Sequence, residues 1–309
     1  MLLAIPTLLG LVVLAFSLIV LTPGDPAVEL ARRRAPSGEA TDIDISRARA
    51  ELRLDRPYLI QLVDWISAAA QGDLGRSFST GKPVAIELSD RLPATAQLGA
   101  AALALSVLVA IPLGALAAVR RNSLLDQGLR VGALLGASIP GFFLAYILIV
   151  VFATTLHFFP VAGRQSAASV VLPMLTLAAG PTAVLSRLVR ASLLEVLEED
   201  FIRTARARGL RESFVVLRHA LPNAMLSTMT VIGSLIGHLL AGAVIVETIF
   251  AWPGVGKLTV DAIAQRDYTM IQGIVLFVGA VFVTINLLVD LSYGLIDPRI
   301  RVHRAGVHA

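Results

Sequence analysis

An all-α integral membrane protein of six transmembrane helices with a large external first loop is the fold class that this sequence predicts. Three observations predict it. The apolar set (AVILMFWYC) fills 56% of the 309 residues and charged residues only 16%, with a mean hydropathy of +0.78; a soluble domain needs about 25% charged residues to cover its core. Charge-free runs long enough to cross a bilayer, about 20 residues each, recur along the chain. The short loops between these runs, finally, segregate arginine to one side. Cysteine is absent, which excludes disulfides, thiolate metal sites and cysteine nucleophiles together.

The spanning runs are Met1–Gly24, Pro93–Val119, Val131–Leu156, Gln165–Ser186, Ala220–Val246 (interrupted by His238) and Tyr268–Val289. They divide the chain into a first transmembrane helix (1–24), an external loop with short helices (25–92), a five-helix core (93–295) containing the loop 187–223, and a tail (296–309). The first run has no basic n-region, its apolar part is too long and no A-x-A site follows at Leu21–Pro26. It therefore reads as a retained helix rather than a cleaved signal peptide.

The external loop opens with Pro23-Gly24-Asp25-Pro26, a sharp exit from the membrane. Arg32–Asp44 is polar, with Pro, Ser and Gly, and reads as flexible. Pro57 suits a first helical position, and Tyr58, Leu59, Leu62, Val63 and Ile66 recur at helical spacing. The apolar face they make would lie equally well on the membrane surface or on another loop.

Orientation follows from lysine and arginine near the helix ends. Arg120, Arg121 and Arg130 flank one short loop. Arg187, Arg190, Arg203, Arg206, Arg208, Arg211 and Arg218 lie in the loop 187–223, and Arg299, Arg301 and Arg304 in the tail. The opposite short loops hold Arg164, Lys257 and Arg266. Thirteen against three makes the first side cytoplasmic, with both termini inside. The long loop Thr22–Leu92 carries ten basic and eleven acidic residues, and loops of that length translocate largely regardless of charge.

Several spans contain Pro and Gly: Pro112 and Gly114, Pro140 and Gly141, Gly180 and Pro181. Membrane helices accept them when neighbours re-satisfy the freed backbone groups. Gly132/Gly136 and Gly233/Gly237/Ala241 repeat small residues every fourth position, which permits close helix approach or provides a smooth wall for a substrate path.

The richest segment is Glu199–Asn223. Asp200 is a plausible N-cap, Phe201–Arg208 a short helix with arginines where the dipole favours them, and Gly209 stands where a left-handed C′ residue is needed. Arg211–Ala220 then reads as a second short helix stopped by Pro222. The predicted product is a helix-turn-helix outside the bilayer, small on one face (Ala205, Gly209) and basic on the other. It is either a dock for a soluble partner or simply an inside loop collecting arginine.

Here the sequence resembles a known family. Thr204-Ala205-Arg206-Ala207-Arg208-Gly209, followed by Leu221-Pro222, resembles the EAA loop of type I ABC importer permeases. Ala205, Gly209, Leu221 and Pro222 match the general pattern, while Arg203, Thr204 and His219 replace its Glu, first Ala and Ile; R-T-A-R-A-x-G-L is the form typical of dipeptide/oligopeptide/nickel permeases. Leu54-Asp55-Arg56-Pro57, Gly72-Asp73-Leu74-Gly75-Arg76-Ser77, Arg91-Leu92-Pro93-Ala94-Thr95, Val246-Glu247-Thr248-Ile249-Phe250, Pro253-Gly254-Val255-Gly256, Arg266-Asp267-Tyr268 and Asp297-Pro298-Arg299 resemble that subfamily's other segments, so the likeness covers nearly the whole chain.

The resemblance implies the first permease subunit of an ATP-driven importer in the bacterial cytoplasmic (inner) membrane, moving short peptides inward by alternating access. Nickel or another small solute is the alternative cargo. Implied partners are a homologous second permease, two ATPase domains and an extracytoplasmic solute-binding protein, with no nucleic acid. The implied coupling residues are Arg203, Thr204, Ala205, Arg206, Ala207, Arg208, Gly209, Leu210, Leu221 and Pro222. The implied chain is not an enzyme and holds no cofactor, ATP and Mg being bound by the partner ATPase.

Other signals point elsewhere only at a glance. Gly254-Val255-Gly256-Lys257-Leu258-Thr259 fails as a P-loop, because Ala251 stands where Gly is needed and Leu258 where Ser or Thr must reach Mg²⁺. The histidines His157, His219, His238, His303 and His308 form no H-E-x-x-H pair, so no metal site is expected. His238, inside the fifth run, is either bonded to a neighbouring helix or a substrate contact; with Gly233, Gly237 and Ala241 it makes the candidate path. Asp290 is expected to pair with Arg187 or Arg190. An ion-coupled secondary transporter would need mid-membrane carboxylates and an internal repeat, and an intramembrane protease a Ser/His or Asp/Asp pair; the sequence offers neither. A plain membrane anchor would leave the Glu199–Asn223 segment unexplained.

Overall fold

The computed structural model describes residues 4–21, 24–35 and 39–296. Among them the chain is helical throughout, and one isolated antiparallel bridge, Arg76 with Pro83, is the only strand-like pairing. The chain divides into two compact units, residues 1–94 with 253–287, and residues 95–252 with 288–309.

The first unit holds α1 (Ala4–Leu21), α2 (Pro26–Arg34), α3 (Asp42–Glu51), α4 (Tyr58–Ala70), the opening turns of α5 (Val84–Val119), α12 (Val255–Ala264) and most of α13 (Tyr268–Ile296). Asp25 caps α2 by accepting from the Ala27 N–H at 2.9 Å, with Pro26 in the first turn. Thr41 and Asp44 form a reciprocal capping box at the start of α3, satisfying two amides that the helix itself leaves unpaired. Ala27, Leu30 and Ala31 of α2 then pack on Ala48 of α3. Within Arg32–Asp44, expected to be flexible, residues 32–34 therefore end one capped helix and residues 42–44 start another. Its apolar content is small, but the caps and the alanine contacts suffice. Residues 36–38 lie outside the description.

The core of this unit joins Val84 and Leu88 of α5, Val255, Leu258 and Ala262 of α12, and Met270 and Ile274 of α13. A Cβ on Gly273 would sit 2.5 Å from Val84 Cγ1, so this helix pair meets at a glycine. The buried Asp267 carboxylate precedes α13. One oxygen accepts from the Met270 N–H at 3.1 Å, and the other from the hydroxyls of Ser77 (2.6 Å) and Ser79 (2.7 Å) and the Ser79 N–H (3.0 Å). Burial pushes this carboxyl up, but the Ser77 and Ser79 hydroxyls and the Phe78 and Ser79 amides outweigh it and hold it below the usual aspartate range.

The second unit holds the remainder of α5, α6 (Leu124–Ser138), α7 (Gly141–Leu148) continued by a π-helical stretch (Ile149–Thr155), α8 (Val171–Leu197), α9 (Asp200–Ala207), α10 (Glu212–Phe214) continued by a second π-helical stretch (Val215–Ala220), and α11 (Leu221–Ile249). Ala110 of α5, Leu185 of α8 and Leu235 of α11 meet in its core. A Cβ on Gly114 would lie 2.6 Å from the Ser186 carbonyl oxygen, while one on Gly132 meets nothing within 4 Å. Close approach thus belongs to Gly114, not to Gly132.

Four helical stretches are long and apolar enough to cross a membrane: Val84–Val119, Ala167–Leu197, Glu212–Ile249 and Tyr268–Val289. Leu124–Ser138 and Gly141–Thr155 pass the same test together but are bent by 103°, and make a fifth candidate if the pair is one span. The run Val131–Leu156, expected as one span, is therefore interrupted. Pro140 has no N–H to continue the ladder, and Ile139 before it is pushed to extended backbone (φ −75°, ψ 121°). The spans also overrun their expected ends. The helix through Pro93 starts at Val84, and α8 continues past Ser186 to Leu197, because spacing of charge marks a membrane boundary but does not stop a helix. The side chain of Asp290, Asp297-Pro298-Arg299 and the tail lie outside the described residues.

Candidate functional site

The segment after α8 is compact and exposed. Glu199, in extended backbone, is the N-cap of α9, and Asp200 is its first helical residue. The expected cap thus moves by one, since Glu199 supplies the non-helical backbone and Asp200 supplies charge at the dipole's positive end. Ile202 and Ala205 are buried against Leu193, Val215, Val216 and Ala220 of the same unit. The small face that would meet a partner is therefore turned inward at Ala205, because burial at i and i+3 seats α9 on its own chain.

Outward are Phe201, Arg203, Thr204, Ala207, Arg208, Gly209 and Leu210. Gly209 takes φ +76°, and its N–H donates to the Arg206 carbonyl at 2.9 Å, the left-handed exit expected of it. Arg206 is spent internally: its guanidinium donates to both carboxylate oxygens of Glu212, at 3.1 and 2.7 Å, closing the turn across α9 and α10. Arg203 pairs with Asp200 at 3.2 Å on the surface. Arg208, Arg211 and Arg218 are exposed and make no ion pair among the described residues. Phe214 and Leu217 add apolar surface, being 49% and 65% exposed.

Pro222 does not stop a helix. It sits in the second position of α11, exposed, next to half-buried Leu221. The Leu221 N–H donates to Val216 O, a five-residue step. The wider π turn accommodates a proline whose missing N–H would otherwise break the ladder, and the chain passes from α10 into α11 without a gap.

Two features nearby carried no sequence motif. Asp126, fully buried in α6, accepts from Arg190 Nε (2.7 Å) and Nη2 (2.8 Å) of α8 and from the Asn122 N–H (2.9 Å). Arg190 thus has a partner other than Asp290, and Arg187 donates to the Ala183 carbonyl at 3.3 Å. The second feature is a cleft of about 380 Å³ lined by Phe142, Thr176, Gly180, Pro181 and Gly242 as well as His238. His238 is exposed and has no hydrogen-bond partner among the described residues, so it is not tied to a neighbouring helix. Gly233, Gly237 and Ala241 share its helix but not the cleft. Among the described residues no group of three or more His, Cys, Asp or Glu side chains is placed to hold a metal. Gly254-Val255-Gly256-Lys257 opens α12 from an extended Gly254 and follows no strand.

Residues 110–302 match the family model described as the binding-protein-dependent transport system inner membrane component. Over 98% of its length the chain is 40% identical to a putative peptide permease protein of Brucella suis biovar 1, covering 97% of that protein. It is also 40% identical, over 97% of its length and 96% of the relative's, to the dipeptide transport system permease protein DppB of Escherichia coli K12. Among solved structures, the inward-facing MetNI methionine ABC transporter shares the fold at TM-score 0.58 and 20% identity, over 68% of this chain and 96% of that one. The chain belongs to the binding-protein-dependent transport system inner membrane component family. It is a multi-pass permease subunit of an ABC importer, and ATP hydrolysis resides in a separate ATPase subunit.

Proposed function

We propose that the chain is the first of two homologous permease subunits of an importer that moves dipeptides and short oligopeptides into the cytoplasm. The observation that carries this reading is its 40% identity, over 97% of its length, to a dipeptide transport permease. In this reading α1 and the broken α6–α7 pair complete a set of six crossings with both termini in the cytoplasm. A solute-binding protein delivers cargo outside, and the path runs along the interface of the two permeases, with His238 and the Gly233/Gly237/Ala241 side of α11 contributing to it.

The segment Arg203–Leu210 with Leu221 and Pro222 is the EAA-type coupling element, on which one of the two ATPase domains docks. Phe201, Arg203, Thr204, Arg208 and Leu210 form the contact face, while Ala205 seats the element and Arg206 clamps it to Glu212. Closure of the ATPases on ATP and Mg would displace this element. Its seat on Leu193 at the end of α8 and on Val215 before α11 carries that displacement into two candidate spans. A coupling element must be stiff to do this, and buried Ile202 together with the Arg206–Glu212 clamp supports that stiffness.

The test is reconstitution of the complete transporter, with its ATPases and binding protein, in proteoliposomes. ATP-dependent accumulation of a labelled dipeptide is expected. Accumulation of nickel or another small solute without peptide would replace the cargo assignment, and solute uptake driven by an ion gradient without ATP would overturn the reading.

A further inference from the structure

Helix α4 has its amphipathicity reversed for a helix in water. Leu59, Ile60 and Val63 are 69%, 48% and 64% exposed, and Ala70 beside them is exposed too. Its polar residues turn toward the chain. Asp64 accepts from Arg56 at 2.7 Å and Arg53 at 3.4 Å, and Gln61 donates to the Arg56 carbonyl at 2.7 Å. The one polar residue on the outer face, Ser67, returns its hydroxyl to the Asp64 carbonyl at 2.7 Å. In the same unit α3 buries Ala48 and exposes Ser46, Arg47, Arg49 and Glu51, with Ile43 in its first turn its one exposed large apolar side chain. The reversal therefore belongs to α4 and not to the whole segment.

The level of α4 along the unit is marked twice. Tyr58 at its start shares a 2.8 Å hydrogen bond with Ser17, and its ring packs edge-on against Phe16 at 5.3 Å, both within the last two turns of α1. Trp65 and Ala68 on its inner side line one cavity with Thr269 and Gln272, the first turn of a helix long and apolar enough to cross the membrane. An apolar face held level with the first turn of a spanning helix stands at the boundary of headgroups and acyl chains. There an amphipathic helix buries its apolar side in lipid, and Tyr and Trp are favoured.

We propose that α4 is an interfacial helix whose Leu59, Ile60 and Val63 face rests in the bilayer, so that the ion-paired Asp64 side, not the apolar side, faces the Arg53–Arg56 turn that joins it to α3. The inference rests on α13 crossing the membrane, and the test keeps the two apart. The chain has no cysteine, so single-cysteine variants of the full chain carry one spin label each in lipid nanodiscs. Oxygen, which concentrates in lipid, and a water-soluble nickel chelate are the relaxing agents. V63C and L59C are expected to show an oxygen-to-nickel accessibility ratio several times that of A50C on exposed α3, with F282C on α13 as the reference for lipid. High nickel accessibility at V63C and L59C, with F282C in lipid, would place the face in water and overturn the proposal. Low accessibility to both agents would mean a covering protein segment and would also overturn it. A wet F282C would instead overturn the crossing of α13. Using two α4 positions guards against one substitution disturbing the helix.

Discussion

Replacing Asp267 with alanine should free the 76–83 turn and fray the first turn of α13. Through one oxygen the carboxylate holds the Ser77 and Ser79 hydroxyls and the Ser79 N–H, and through the other it caps α13 at the Met270 N–H. Hydrogen bonds to a charged group contribute about 1.5–3 kcal/mol each, and loss of a helix cap costs about 1 kcal/mol. The first three share one acceptor, and the Ser77 and Ser79 hydroxyls, 3.4 Å apart, can turn to one another. A combined loss of about 3–4 kcal/mol follows, rather than the full sum. Since about 1.4 kcal/mol is a factor of ten, local opening should rise more than a hundredfold. Hydrogen exchange at the Ser79 and Met270 amides reads this directly. Asp267→Asn, which keeps an acceptor oxygen but no charge, should fall between wild type and Asp267→Ala. The pH arm has a fixed sign. A carboxyl held below its unfolded value of about 3.9 contributes its full stabilisation above that pH and loses it as pH falls through the depressed value. Protection at Ser79, corrected for intrinsic exchange, should stay flat from neutrality to about pH 4 and decline below it. Unchanged exchange at both amides in Asp267→Ala would refute the reasoning.

Further expectations follow from the same geometry. At Gly209 a Cβ meets nothing within 4 Å, but φ is +76°, so the cost of Gly209→Val is conformational, about 1–2 kcal/mol. It should uncouple transport from ATP turnover more than Gly209→Asn, which accepts the left-handed region; equal effects would contradict this. Gly114→Val should lower the yield of folded protein on detergent size exclusion, because its Cβ would approach Ser186 O to 2.6 Å, whereas Gly132→Ala should elute as wild type. Asp126→Asn leaves the Arg190 guanidinium without its carboxylate at a cost of about 3–5 kcal/mol, and Arg190→Met should cost less, since Arg130 at 3.7 Å still faces Asp126. The double variant should recover part of the thermal stability, and additive losses would argue against the pair. Arg208→Ala should weaken ATPase binding in a co-purification assay while leaving the fold intact, whereas Arg206→Ala should loosen the turn itself, seen as faster exchange at the Gly209 amide.

Hydropathy made the helical class legible because a spanning helix must satisfy its backbone internally and present apolar surface over its whole length. Gly209 was legible for a comparable reason, as few residues other than glycine end a helix in the left-handed region. The break at Pro140 was visible only as a proline, since the same residue is absorbed without a bend at Pro222. Whether a proline bends a helix depends on how the preceding turn rearranges its hydrogen bonds, which no residue spacing encodes. The inward turn of Ala205 was hidden because the motif marks a small residue without saying which side it is small for. Ile202, three positions earlier, was the available signal. Asp126–Arg190 and Asp267–Ser77 join residues far apart in the chain, and local patterns are silent about such pairs. Asp267 directly before a helical run did carry the signature of a cap. Arg206 and Arg208 looked alike in the sequence, yet Arg206 is committed to Glu212 and Arg208 makes no ion pair among the described residues, a difference made by the turn at Gly209.

The π-helical stretch from Val215 to Ala220 has a consequence for evolution and for engineering. It behaves as one surplus residue threaded into an otherwise continuous rod, and each residue of an α-helix advances the azimuth by about 100°. That surplus sets the phase between the turn bearing Ile202 and the long α11. Deleting any single residue between Val215 and Ala220 would let the rod close into regular α-helix at little local cost. It would also swing Val215 and Val216 away from Leu193 and Ile202, an error of about a quarter-turn in the seat of α9. Length variation should therefore be tolerated poorly here.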